Sequence, residues 1–296
     1  MRNTFGKWFN EETQPDVNKL LSGDIGFGVF DELRKSRPND FINMGIAEQN
    51  MIGFAVGLSQ SNFIPWVYTI IPFLIFRPFE FIRNIVCYDN SNVKLVGIGA
   101  GLVYDNLGYT HYGIEDISII SQLLSIRILT PYSPNNVIVC SRLALNHTGP
   151  VYLRLGKGSE DELISDEEIP GASIFNKKSE DKNNIVICYG AYLSIILESY
   201  ENFPSKVNLP LIIAVYDVDS FSLENFKYTY SKIIYFEEQR GSGFKKLYDI
   251  IFEFSNDFIK YDLNCIDFKA IGKIPPDRKS ILELAKLDSY SISKLF

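Results

Sequence analysis

From about Val17 to Leu155, short β-rich runs alternate with helix-length apolar patterns, and few folds are open to a chain written this way. The alternation predicts an α/β fold with a largely parallel sheet. The candidate strands are Leu20 to Ser22, Phe41 to Met44, Ile64 to Thr69, Val93 to Ile98, Ile126 to Thr130 and Val151 to Arg154. Between them, Pro78 opens a helix over Phe79 to Tyr88, and Ser133-Pro134 supplies an N-cap and first-turn proline before Val137 to Leu145. The candidate site residues fall at strand ends and in the loops after them, where ligands sit in open parallel sheets.

Ser159 to Asn184 changes character, with six acidic residues between Glu160 and Glu168, then a Pro-Gly pair and a charged stretch. It reads as a linker over 159–184, dividing a first domain at 1–158 from a smaller α/β domain at 185–296. The second domain has candidate strands at Ile185 to Tyr189, Leu211 to Tyr216, Ile233 to Phe236 and Cys265 to Phe268, and helices near Tyr192 to Tyr200 and Phe244 to Phe254. No internal repeat is visible.

The length of 296 residues lets both domains bury a core, and 46% hydrophobic with 22% charged residues describes a folded soluble chain. A net charge of -7 without a basic stripe gives no reason to expect nucleic acid. The four cysteines, Cys87, Cys140, Cys188 and Cys265, show no paired spacing and read as reduced, buried thiols of a cytoplasmic protein. The start of the chain lacks the pattern of a signal peptide. Its longest apolar stretch, Phe63 to Phe76, is interrupted by Pro65 and Pro72. Falling short of the ~20 residues a membrane helix needs, it reads as a buried strand followed by an aromatic loop, and no membrane partner is expected.

One acidic residue interrupts the apolar helical pattern of Phe41 to Ala55. Ala47, Met51, Phe54, Ala55 and Leu58 recur at the spacing of one helix face, Gly53 and Gly57 leave room for another backbone, and Glu48 sits among them. A carboxyl group there is partnered or functional. Alone, Glu48 reads as a first-turn carboxylate favourable to the helix dipole, or as a buried ion-pair member.

The segment Gly45-Ile46-Ala47-Glu48-Gln49 resembles the Gly-Ile-Ala-Glu-Gln motif of thiamine diphosphate enzymes of the transketolase and deoxyxylulose-phosphate synthase superfamily. The resemblance implies that Glu48 bonds the cofactor's pyrimidine ring and promotes the imino tautomer that deprotonates the thiazolium carbon. A carboxyl in apolar surroundings suits that task, because it can share a proton near neutrality. An Asp would be too short, and a Gln could not transfer the proton.

Further segments carry the same resemblance. Gly108-Tyr109-Thr110-His111 with Glu115-Asp116 is similar to the family's Gly-x-Thr-His-x-x-x-Glu-Asp, whose His lines the substrate channel. This implies a catalytic and substrate-binding His111, since imidazole passes protons near neutrality; alone it reads as a backbone-bonded loop histidine. Glu115 and Asp116 read as structural first-turn acids. Gly99-Ala100-Gly101 resembles the family's Gly-rich loop and is read as close backbone packing beside the cofactor. Tyr68 to Arg83 resembles the aromatic segment whose Phe stacks on the pyrimidine, followed by Arg-x-Phe-Glu-x-Ile-Arg. Counting back from Arg77 favours Phe73 over Phe76, with a purely core role for both aromatics left open.

Gly23-Asp24 resembles the family's first strand and loop, implying that Asp24 lies at the substrate rim. Its partial likeness to a Gly-Asp-Gly metal motif fails, because Ile25 replaces the last Gly and Asn50 belongs to the Glu48 helix; no metal ligand is assigned. Tyr152-Leu153-Arg154 resembles the domain end where an Arg holds a sugar phosphate, a role for which guanidinium geometry is suited; the alternative is a surface ion-pair Arg ending a strand. Glu237-Glu238 with Gly243 resembles a C-terminal-domain loop expected to contribute packing.

The resemblance covers Val17 to Gly158 well and Ile185 to Ala270 loosely. It implies a transketolase pyrimidine-binding domain followed by a transketolase C-terminal domain, as the C-terminal subunit of a split enzyme that transfers a two-carbon ketol unit between sugars or sugar phosphates. Thiamine diphosphate would be shared with an N-terminal subunit that holds the diphosphate and Mg²⁺, in an α2β2 assembly. Little turnover is expected from this chain alone. The alternatives are a 2-oxoacid dehydrogenase β subunit, a deoxyxylulose-phosphate synthase-like half, and a non-catalytic scaffold.

Overall fold

The computed structural model describes residues 1–157, 161–181, 183–201, 203, 208–225, 232–255, 257–268 and 277–295. Its first sheet contains β1 (Asn18–Ser22), β2 (Phe41–Asn43), β3 (Ile64–Ile70), β4 (Lys94–Ile98), β5 (Arg127–Leu129) and β6 (Val151–Leu155). They lie in the order β2-β1-β3-β4-β6-β5, and every pairing is parallel. The register sets Ser22 beside Asn43 on one side and Tyr68 on the other, with Ile70 beside Ile98. The chain leaves β1 toward β2 and returns to β3 on the opposite flank, so a crevice opens where the connections diverge.

Alternating side chains build a core on each face of this sheet. Leu20, Trp66 and Tyr68 face one way and meet Phe5, Trp8 and Phe9 of the helix Arg2–Glu12, an element the sequence reading did not assign. Leu21 and Val67 face the other way, toward Met51, Ile52 and Ala55 of the helix Glu48–Gln60. Full burial of each such side chain stabilises the fold by about 1.5–3 kcal/mol. The helix Pro134–Asn146 starts as expected, with Ser133 Oγ accepting from the Asn136 amide at 3.3 Å.

The second sheet comprises β7 (Glu167–Ile169), β8 (Ala172–Phe175), β9 (Asn184–Tyr189), β10 (Leu211–Val215), β11 (Lys232–Phe236) and β12 (Phe258–Tyr261). Its order is β12-β11-β9-β10-β8-β7; β8 runs antiparallel to β10, and β7 antiparallel to β8. The α/β architecture of two mostly parallel sheets is as expected.

Several details differ from the sequence reading. The stretch read as a linker supplies two strands of the second sheet, turning at Gly171 with φ +75°. The acidic run before it hid the short apolar strand Ala172–Phe175, which is buried along its length. The last strand is Phe258–Tyr261, not Cys265 to Phe268: Asp262 Oδ1 accepts from the Asn264 amide at 2.8 Å, and this side-chain turn ends extended pairing. The expected loop after β3 is instead a short helix, Ile71–Phe76, with Pro72 in its first turn, where the missing N–H costs nothing. Phe79–Phe81 is α-helical and Ile82–Tyr88 continues as a π-helix. Cys265 is exposed, whereas Cys87, Cys140 and Cys188 are buried. No helix among the described residues is long and apolar enough to cross a membrane.

Candidate active site

Glu48 is the first residue of its helix, so its charge lies near the positive end of the helix dipole. It is 3% exposed. The buried stripe beneath it is Met51, Ile52, Ala55 and Val56; Phe54, expected on that face, is 43% exposed. No backbone of the described residues packs against Gly53 or Gly57: a Cβ at Gly57 would meet nothing within 4 Å, and at Gly53 only the Phe81 ring at 3.5 Å.

The acid has a partner that sequence reasoning passed over. Arg77 Nη1 donates to both Glu48 oxygens at 2.7 Å. Arg77 follows the helix Ile71–Phe76, and its guanidinium lies 4.0 Å from the centroid of the Phe73 ring. Phe73 in turn meets the edge of His111, ring centroids 5.1 Å apart. Glu48, Arg77, Phe73 and His111 thus form one connected cluster beyond the C-terminal ends of β2, β3 and β4. Phe76 stands apart, 45% exposed. Arg77 carried a signal as part of the Arg-x-Phe-Glu motif, but the 29 residues separating it from Glu48 conceal the pairing.

The Glu48–Arg77 pair is intermediate in kind, because Glu48 is buried while the Arg77 side chain is 43% exposed. Its coupling is therefore expected at about 1–2 kcal/mol, between the surface and buried limits. A double-mutant cycle of Glu48→Gln and Arg77→Met, read by urea unfolding, measures it; a coupling near zero would mean that the contact contributes nothing in solution.

His111 lies on a 3₁₀ turn, Tyr109–His111, with Nδ1 2.9 Å from Thr110 Oγ1. Partial burial lowers its pKa below the usual imidazole value, and the Arg77 charge adds to the shift. The imidazole is accordingly neutral at pH 7 and able to accept a proton. Asp24, exposed after β1 with φ +58°, accepts from Asn43 Nδ2 at 2.9 Å and ties the ends of β1 and β2.

Arg154 does not join the cluster. It is 5% exposed, with Nε 2.7 Å from Asp116 Oδ2 and Nη2 2.7 Å from the Gly113 carbonyl. Asp116 also accepts from Tyr152 Oη at 2.6 Å and Gln239 Nε2 at 2.8 Å. The expected phosphate-holding guanidinium is thus committed to a buried carboxylate, because the β6 register turns it beneath the Gly113 loop. The Gly-rich loop packs against the second domain: Leu102 N donates to Glu238 Oε1 at 3.2 Å, and a Cβ on Gly101, at φ +67°, would collide with the Glu238 carboxylate.

The cluster fits the ring half of a thiamine cofactor: a half-buried aromatic face, a buried acid and a neutral imidazole stand together, and Thr69 Oγ1 near the end of β3 is buried without a hydrogen-bond partner among the described residues. Among the described residues no group of three His, Cys, Asp or Glu side chains is placed to hold a metal ion.

Comparison with known proteins gives the family. A family model described as transketolase, pyrimidine-binding domain, matches residues 1–160. One of the subunits of the apulose-4-phosphate transketolase of Actinobacillus succinogenes is 39% identical over 139 residues, 46% of this chain and 45% of that protein. The 1-deoxy-D-xylulose-5-phosphate synthase of Carboxydothermus hydrogenoformans is 30% identical over 248 residues, 81% of this chain and 39% of that one. The chain spans about half the length, or less, of these curated relatives. A solved structure described as a split gene transketolase, inactive beta4 tetramer, superposes with a TM-score of 0.78 at 25% identity, over 99% of this chain and 95% of that one. The chain therefore belongs to the transketolase family, with residues 1–160 matching its pyrimidine-binding domain.

Proposed function

We propose that this chain is the C-terminal subunit of a thiamine diphosphate-dependent transferase, moving a two-carbon ketol unit between sugars or sugar derivatives in the cytoplasm. The single observation that carries the reading is the joined cluster of Glu48, Arg77, Phe73 and His111 at the strand ends. An N-terminal partner subunit would hold the diphosphate and Mg²⁺, so that each cofactor spans the two kinds of chain, and we extend the proposal to an α2β2 assembly of them. When bound, the cofactor supplies an acidic thiazolium carbon and an electron sink.

This chain's residues then have separable tasks. Phe73 offers a flat face to the pyrimidine, and Glu48 holds the proton at a ring nitrogen. Both Glu48 oxygens are engaged by Arg77, which also covers Phe73, so rotation of that one side chain frees the acid and the ring together. In the tautomer whose Nδ1–H donates to Thr110 Oγ1, His111 presents Nε2 as the nitrogen able to take a proton from a substrate hydroxyl. Asp24 lines the rim for substrate hydroxyls, while Arg154 serves the architecture.

Co-purification tests the proposal. The pair is expected to retain thiamine diphosphate and Mg²⁺ through dialysis and to turn over a ketose donor with an aldehyde acceptor, whereas this chain alone is inactive. A pair that retains no thiamine diphosphate would establish the scaffold reading instead. The long match to a deoxyxylulose-phosphate synthase supports a second reading with the same residues and a different donor. A screen of ketoses against 2-oxoacids separates the two.

A further inference from the structure

His111 lies within a strap, residues 102–112, whose two ends are closed by reciprocal backbone hydrogen bonds. Gly101 N donates to Gly113 O at 2.8 Å, and Gly113 N to Gly101 O at 2.9 Å. Both ends of that strap are gripped by three consecutive residues of the second domain. At the first end, Glu238 accepts from Leu102 N and is itself fixed by Arg278, whose Nε and Nη2 reach its two oxygens at 2.8 Å. The backbone amide of Arg278 also donates to Asp105 Oδ2 at 3.3 Å, inside the strap. At the second end, Gln239 Nε2 reaches Gly113 O at 3.3 Å and Asp116 Oδ1 at 2.8 Å. The Arg240 amide donates to Ile114 O, and Ser118 Oγ to Arg240 O at 2.7 Å. Between the ends, Phe268 lies against Tyr109 and Tyr112, at centroid distances of 5.6 and 6.1 Å.

The burial matches the contacts. Glu238 is 6% exposed and Gln239 fully buried, although both are polar and neither lies in a strand. Such groups are retained inside a protein when they fix a geometry that apolar packing would leave loose. Among the described residues His111, by contrast, makes one side-chain hydrogen bond, to its neighbour Thr110, and its ring otherwise meets Phe73 and Tyr104 in edge-on contacts. Its place above Phe73 therefore depends on where the strap is anchored.

We propose that Glu238, Gln239 and Arg240 are positioning residues for His111, so that the second domain sets the placement of the imidazole from outside the active site. The catalytic meaning of this placement rests on the thiamine reading; the placement itself is a property of this chain.

The chain has only two histidines, His111 and His147, which makes the test direct. In the full-length chain labelled with ¹³C-histidine, the two imidazole resonances are followed through a pH titration without cofactor. Glu238→Ala and Gln239→Met are expected to displace or broaden the His111 resonance and raise its titration midpoint by ~0.5 unit toward the free value, as the ring gains solvent. Glu238→Gln, which keeps an acceptor for the Leu102 amide but loses the charge opposite Arg278, is expected to fall between the parent and Glu238→Ala. The His147 resonance should hold still and so report the intact fold. An unmoved His111 resonance in folded Glu238→Ala and Gln239→Met would overturn the proposal. Should those variants unfold, seen as His147 leaving its place, Phe268→Leu decides, because it leaves the buried hydrogen bonds in place, removes the ring contacts to Tyr109, Tyr112 and the Arg240 guanidinium, and must still move His111. The same shifts in a chain whose parental complex retains no thiamine diphosphate would count against the thiamine reading alone.

Discussion

Glu48→Gln is expected to lower the turnover of the assembled enzyme by about 10²–10⁴-fold, the range that a positioned acid or base contributes. The substitution keeps the shape and reach of the side chain and removes its ability to take and return a proton, together with its charge and one of the two acceptors facing Arg77. Folding should be nearly unaffected. Glu48 is 3% exposed, but its partner Arg77 is 43% exposed in the side chain and can turn to water when the charge opposite it is gone. Neutralising a buried carboxylate also removes its desolvation cost, which offsets the lost ion pair. The expected result is an unfolding free energy within about 1 kcal/mol of the parent, with turnover collapsed. The assay is the complex with its N-terminal partner, alongside urea unfolding of this chain. Turnover near the parental rate would remove Glu48 from the chemistry and leave it as half of an ion pair.

That outcome would restore the plain reading of the sequence, which the structure partly realises. Glu48 is a first-turn carboxylate and a member of an ion pair, as its residue type alone allowed. The strands of the first sheet were legible because β-rich runs and helix-length patterns alternate there with clear punctuation, Ser133-Pro134 being the clearest. Cluster membership was legible for Glu48, Phe73 and His111 because each lies in a motif that follows a strand. Arg77 was not legible as their common partner, since pairing across two elements leaves no periodic trace. Nor did local pattern show which way Arg154 turns. A guanidinium at a strand end serves equally well outside a sheet or beneath a loop, and the choice depends on Asp116, Tyr152 and Gln239, brought together from separate segments.

The second domain was read mainly as packing, and the strands β7 and β8 were missed because an acidic run outweighed four apolar-leaning residues. Its loop after β11 was also undervalued. Glu237, 1% exposed, accepts from Tyr189 and Tyr235 hydroxyls at 3.3 and 3.0 Å and pairs with Lys260 at 2.7 Å, while Glu238 and Gln239 reach into the first domain. Two consecutive acids look like surface in a sequence; here the strand end buries both, and donors from different elements supply the compensation that burial requires.

The largest effect on stability is expected from Arg154→Met. Burial works against the Arg154 charge, yet Asp116 and neighbouring tyrosines hold its pKa above the usual guanidinium value, so Arg154 stays charged throughout the working range of pH. Methionine keeps much of the side-chain volume and leaves the Asp116 side chain, 0% exposed, with hydrogen bonds from Tyr152 and Gln239 but no opposing charge. Removing one partner of a buried pair costs about 3–5 kcal/mol, and the Gly113 carbonyl also loses its donor at 2.7 Å. Adding Asp116→Asn should recover part of the loss, because it removes the stranded charge and keeps a polar group opposite Tyr152. Urea unfolding of the parent, the single variant and the double variant reads all three. If Arg154 instead held the anionic end of a substrate, Arg154→Met would raise KM in the assembled enzyme while leaving the unfolding midpoint where it was. The two roles predict opposite results from the same protein, and the 2.7 Å contact with a carboxylate sealed from solvent favours the loss of stability.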